Sequence, residues 1–163
     1  MAKARDVEGL LPGTPYAVAA ARTIRVRADE LFDHAEGVLD TDDITRVHDT
    51  RVATRRLRAA LELYAPCFPG GALKPVLRDV ERLADALGAR RDPDVQLASV
   101  ARFARAVEPE EAKGLAVVSA FFAARQAAGN ERLAAALAQA ATSDLRGRLL
   151  ALADAAEERV GAA

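Results

Sequence analysis

The chain is poor in the residues that most often carry chemistry. It has one cysteine, two histidines, one methionine and no tryptophan, and aromatic residues make up only 4% of its 163 positions. A lone Cys67 cannot close an internal disulfide and has no soft partner for a zinc site. Its simplest role is a small buried or half-buried residue in a helix-ending loop. His34 and His48 are too few for a metal cluster, and no glycine-rich phosphate loop, nucleophile elbow or CxxC pair occurs. No early stretch has the apolar centre of a secretion signal, and no apolar run approaches about 18 residues. The expectation is a soluble cytoplasmic protein that needs no cofactor and no metal and makes no membrane contact.

Strand signals are missing too: no Val/Ile/Thr-rich alternating run appears. What is present is alanine, leucine and arginine, in a chain that is 51% hydrophobic, with glycine and proline at separated points. That combination predicts an all-α protein, an up-and-down antiparallel bundle of five or six helices. After a flexible segment over 1–13, a single domain is expected over 14–163. Thr14-Pro15 opens a first helix to about Val38. The run DTDD at 40–43 caps a second, from Asp43 to about Ala65, stopped by Pro66. A third is expected from Ala72 to Leu87 with Gly88 just past its end. Asp92 and Pro93 read as the start of a fourth, ending near Val107. A fifth runs from Pro109 to Ala128, with a continuation to Ala141 left open, and Ser143 caps a last helix over about 144–160.

Charge is unevenly spread in a chain whose formal net charge is only -1. Six acidic residues and no basic one lie from Glu30 to Asp43, whereas Arg46 to Arg58 holds five arginines and one aspartate. Of 23 basic residues, all but Lys3, Lys74 and Lys113 are arginine. A genome rich in G and C would favour that bias, and so would a need for planar, permanently charged phosphate grips. Position has to decide.

Walking the second helix at about 100° per residue separates two stripes. Val47, Ala53, Thr54, Leu57, Ala60, Leu61 and Tyr64 share one arc and should face the core. His48, Arg51, Arg55 and Arg58, at i, i+3, i+7 and i+10, form a second stripe beside it, flanked by Val52, Ala59 and Leu63. Arg56 points away from it. Only Glu62 stands in line with the stripe, where a solvated face would interleave acids. The four side chains span about 15 Å along the axis, which suits an extended polyanion better than a single phosphate. Two readings stay open: an anion-binding groove, or a structural stripe quieted by the acids of 30–43.

The third helix adds Lys74, Arg78 and Arg82, but Glu81 and Asp85 share that side, so a self-paired solvated face is the simpler reading. Arg90 and Arg91 precede the expected fourth helix, whose N-terminus would favour an anion. They extend a groove, or they stay in water while Asp92 caps the helix.

The segments VHDTRVATRRLRAAL (47–61) and LGARRDPDV (87–95) resemble the CHAD domain, the conserved-histidine α-helical domain, in order and in separation. The resemblance implies a helical, non-enzymatic module whose basic surface binds inorganic polyphosphate. Some relatives are fused to a triphosphate-hydrolysing tunnel domain, and others associate with polyphosphate granules. Carried over to this chain, the binding positions are His48, Arg51, Arg55, Arg56 and Arg58. Arg91 and Asp92 occupy an RD signature, and Lys74, Arg78, Arg82, Arg90 and Arg91 are possible additions. The strong resemblance covers about Thr14 to Val107. A full CHAD domain is similar to two helical halves facing across a basic channel, and a second basic helix is not evident here, Arg146 and Arg148 being too sparse. One half then binds alone, or two chains pair as a homodimer to rebuild the channel.

Other classes fit less well. His48 and Asp49 suggest a metal phosphohydrolase, but the two point about 100° apart on a helix and His34, in an acidic helix end, reads as an exposed surface residue. The ExExK signature of the tunnel enzymes is absent, and EPEEAKG at 108–114 does not supply it. Nucleic acid would attract the same arginines, yet the only aromatic on the helix, Tyr64, lies on the apolar arc, so base stacking is not provided for and RNA or DNA should bind only non-specifically. A structural dimerisation or adaptor module is the remaining alternative.

Overall fold

The computed structural model describes residues 3–161 of the chain, and among these every regular element is a helix. There are six: α1 (Tyr16–Ala35), α2 (Ile44–Leu63), α3 (Leu73–Ala104), a single turn α4 (Pro109–Ala112), α5 (Leu115–Thr142) and α6 (Leu145–Gly161). A 3-10 turn, Ala65–Cys67, follows α2 and holds the buried Cys67. Burial pushes the Cys67 thiol above its ordinary value, with Arg159 opposing.

The helix ends follow local chemistry. Helix α1 begins at Tyr16, one residue later than the Thr14-Pro15 pair implied, because Thr14 is engaged elsewhere and accepts from the Leu11 N–H at 2.9 Å. It stops at Ala35, short of Val38, because the chain turns through Gly37 at φ +69°, a conformation that suits glycine. Val38 then folds back into the core. At the start of α2 the Asp43 side chain accepts from the Thr45 N–H at 3.1 Å, the expected cap. At α6 the cap is Asp144 rather than Ser143: Asp144 takes φ 47° and its Oδ1 accepts from the Gly147 N–H at 3.1 Å.

The largest departure from the sequence reading is α3. Two helices meeting at Gly88 and Asp92 are in fact one helix of 32 residues with Pro93 inside it. Proline removes the N–H that the Ala89 carbonyl would accept. That oxygen faces α5 at Gly129, where an added methyl carbon would lie only 2.7 Å from it. Close packing of two backbones replaces a turn. Helix α5 likewise runs unbroken through Gly129-Asn130, the continuation that the sequence left open.

Helices α1, α2, α6, the first half of α3 and the second half of α5 enclose the core. Ile24, Leu31, Leu57, Leu61, Leu87 and Leu149 are fully buried in it. Helix α6 returns to pack along α1, where Arg25 reaches Asp154 and Glu157 at 2.7 Å each and Arg146 reaches Asp29 at 2.8 Å. Arg148 is tied to Asp79 of α3. Arg146 and Arg148 are therefore fasteners between helices. The N-terminal segment lies against α1, Arg5 meeting Asp33 at 2.6 Å and Arg22 donating to the Gly9 carbonyl at 2.5 Å.

The α3–α5 pair differs from the rest. Beyond Asp94 in α3 and before Gly129 in α5, no described residue is buried. This part of the two helices extends past the core as a hairpin, joined by the short α4.

Candidate functional site

Asp43 and Pro66 fix the two ends of α2 and so the phase of everything between them. The apolar arc is buried as its spacing predicts: Val47, Ala53, Thr54, Leu57, Ala60 and Leu61 all lie in the core. Thr50 and Thr54 join them because their hydroxyls donate to the Arg46 and Thr50 carbonyls at 2.8 Å each, which satisfies them without leaving the helix. With the apolar arc anchored, the basic stripe has only one direction left to face.

It faces a groove between α2 and α3. His48, Arg51, Arg55, Arg56 and Arg58 all line this groove, together with Val52, Ala84 and Asp85. The Arg58–Glu81 contact at 3.4 Å sets the antiparallel register of the two helices. Counting back along both from that pair, Ala84 comes level with Arg55, Gly88 with Arg51 and Arg91 with His48. The α3 wall is thus small where the arginines are long. No atom lies within 4 Å of where a Cβ at Gly88 would be, so the wall there is open. Gly88 does not end a helix; it lies inside α3 with open space beyond it.

Within this groove the arginines are not equivalent. Arg58 is held from two sides, by Glu62 at 2.8 Å and by Glu81 at 3.4 Å. The Glu62 hydrogen bond, first among these influences, raises its pKa above the ordinary arginine value. Among the described residues, Arg51 and Arg55 form no ion pair and no hydrogen bond with the protein, and both are exposed. Arg56 borders the groove but also sits 3.9 Å from Glu30, a fully buried carboxylate of α1.

Glu30 explains where the acids of 30–43 are spent. Its carboxylate accepts from the Arg5 backbone N–H at 2.5 Å and is paired with Arg27, with Arg56 close by. Burial alone would push its pKa up. The Arg5 N–H, then Arg27 and Arg56, outweigh that, and the carboxyl is held below its ordinary value. Asp33 serves Arg5, and Asp43 serves Arg46 at 3.1 Å. None of these acids is paired with Arg51 or Arg55, so compensation from this stretch goes to the other flank of α2.

The additional candidates divide. Arg90 is not a groove residue: it is fully buried, paired with Asp94 one turn on, and donates to Asn130 Oδ1 at 3.1 Å. Gln126 also donates to Asp94, at 2.7 Å, and Asn130 donates to the Leu39 carbonyl at 3.0 Å. This polar knot bolts α3 to α5 across Pro93. The sequence suggested a free arginine before a helix start, and the continuous α3 turns it inward instead. For the same reason Asp92 caps nothing, lying mid-helix and exposed. Arg91 is half-buried on the Ala84 face. Lys74 and Arg78 are exposed and outside the groove lining, while Arg82 is paired with Asp79 at 3.1 Å rather than with Glu81 or Asp85.

Tyr64 is half-buried against Tyr16, ring centroids 5.0 Å apart, and is not part of the groove lining. His34 is half-buried rather than exposed, its carbonyl accepting from the Thr50 hydroxyl at 2.7 Å. Among the described residues no three His, Cys, Asp or Glu side chains gather to hold a metal ion, and no helix is long and apolar enough to cross a membrane.

Fold and groove together define an all-helical module with an arginine-lined cleft between two antiparallel helices. A family model described as the CHAD domain matches residues 22–163, and the chain belongs to that family. Searches of curated proteins and of solved structures return no match.

Proposed function

We propose that the groove between α2 and α3 binds inorganic polyphosphate, without catalysis. Membership of the CHAD family is consistent with such a module. The observation that carries the reading is the pair Arg51 and Arg55: two exposed guanidinium groups, one helical turn apart, with which no acid among the described residues, Asp85 of the same groove included, forms an ion pair. Like charges so placed repel each other, and an anion lying along the groove would relieve that repulsion. Each phosphate of a linear polymer presents oxygens that a planar guanidinium can meet with two parallel hydrogen bonds. His48 and Arg91 would meet the chain at one end of the groove and Arg58 at the other. Nucleic acid is the weaker ligand because, among the described residues, no aromatic side chain lines the groove to stack on a base. The same reading places the protein in the cytoplasm, where a second copy would double the length of basic surface.

The test is direct binding of long-chain polyphosphate and of single-stranded RNA of matched charge, each across a salt series. Polyphosphate should bind more tightly at every salt concentration, and its affinity should fall as salt rises, by release of counterions. Equal affinity for the RNA, or polyphosphate binding indifferent to salt, would sink the proposal.

A further inference from the structure

Helix α5 carries the run LAVVSAFFAA over 115–124, without one charge. A helix apolar on all sides belongs in an interior. Here its only substantial packing partner is α3, and Val117 is 76% exposed and Phe121 55% exposed. On α3 of the same hairpin, Phe103 is exposed as well. Two helices alone cannot bury both faces of such a hairpin.

These residues belong to one continuous face. On α3, Asp85, Asp92 and Phe103 are spaced at i, i+7 and i+18, close to whole turns. On α5, Val117, Phe121, Arg125, Ala128 and Arg132 follow a single stripe. The two stripes meet in adjoining surface clefts, one holding Asp85 and Arg132, the other Asp92, Phe121, Arg125 and Arg132. The acids sit on α3 and the arginines on α5, yet no ion pair within the chain joins Asp85 or Asp92 to Arg125 or Arg132.

We propose that this α3–α5 face docks on the same face of a second copy, forming a four-helix layer about a two-fold axis parallel to the helices. It rests on the homodimer part of the reading above and names its surface. Rotation about such an axis lays the partner's α3 antiparallel on this copy's α5 at unchanged height. Because α3 and α5 are themselves matched at Ala89 and Gly129, the partner's Asp92 then arrives over Arg125 and its Asp85 over Arg132. Acids and arginines that form no ion pair with each other within one chain then face each other between the two, and Val117, Phe121 and Phe103 close on their counterparts. The face is roughly 30 Å long and two helices wide, on the order of 600 Å² per copy, close to the half-share of a standard stable interface. Asp85 also lines the basic groove, so the interface runs up to the site. The two-fold axis puts the second copy's groove at the opposite edge of the layer, so each groove runs beside one edge of the interface.

Light-scattering mass of the full chain, measured without polyphosphate, tests the surface. The wild type should be a dimer. Val117→Glu with Phe121→Glu should give a monomer of unchanged helicity, since both side chains are exposed. Asp85→Arg with Asp92→Arg in one chain, and Arg125→Glu with Arg132→Glu in another, should each give monomers alone. Mixed in equal amounts, those two variants should recover a dimer. A wild-type dimer that survives the Val117/Phe121 substitutions overturns this surface while leaving homodimerisation standing. A monomeric wild type overturns both, whatever other protein its hairpin takes up. A monomeric mixture overturns the two-fold pairing of charges.

Discussion

Arg55 and Arg56 follow one another in the chain, and the fold puts them to opposite uses. Arg55 is exposed on the groove wall and among the described residues forms no ion pair; Arg56 reaches toward the buried Glu30 among the cations that hold the N-terminal segment and α1 to α2. One helix therefore has a basic flank that is neutralised from within the chain and a basic flank that is not. Charge density alone does not distinguish binding from scaffolding. The distinction lies in whether the fold brings an acid, and for α2 it brings buried Glu30 to one side and leaves Arg51 and Arg55 on the other.

The comparison can be broken most sharply at its open side. Arg51→Glu with Arg55→Glu should weaken polyphosphate binding at least about a hundredfold, the equivalent of about 2.7 kcal/mol. Far-ultraviolet circular dichroism and the denaturation midpoint should stay as in the wild type, because neither arginine holds another part of the fold. A variant that fails to fold would show the stripe to be structural after all.

The closed side should respond in the opposite sense. Glu30→Gln leaves Arg27 and Arg56 facing a buried neutral group, and loss of one member of a buried pair costs about 3 kcal/mol. Denaturant unfolding should show that loss near neutral pH, with polyphosphate affinity of the folded fraction unchanged. The sign of the pH effect follows from the lowered carboxyl pKa. Its contribution is complete above the ordinary value of 4.5 and fades as pH falls through the lowered one. Wild type and variant should therefore converge in stability in strong acid, and a gap that stays constant would remove Glu30 as its source.

Arg58 lies between these extremes, in the groove yet paired. Replacing Glu62 and Glu81 by glutamine frees it, and exposed pairs of this kind are each worth up to about 1 kcal/mol. Polyphosphate affinity should rise roughly two- to fivefold, and the rise should shrink as salt is added. Unchanged affinity would mean that Arg58 does not touch the ligand.

Much of this site is legible in the sequence because it is written in a single helix. Asp43, Pro66 and a 3.6-residue period fix which side of α2 is buried, and the direction of His48, Arg51, Arg55 and Arg58 follows. Arg90 shows the limit. Gly88 and the Asp92-Pro93 pair carry strong local signals for a break, and a break would have left Arg90 in water. The helix runs on because α5 packs against it where the proline leaves a carbonyl bare, and because Arg90, Asp94, Gln126 and Asn130 bond to one another across that contact. Residues 32 to 40 positions apart had to meet for that to happen, and no local pattern records it.

By itself, then, the sequence determined the helical class, the phase of α2 and the residues along its basic flank, since all three depend on neighbours within a few turns. Tertiary structure decided which acids neutralise which arginines, where α3 bends or continues, and which side of α5 stays uncovered. Those outcomes depend on which helices lie side by side, and a buried carboxylate such as Glu30 chooses its partners by distance across the core rather than along the chain.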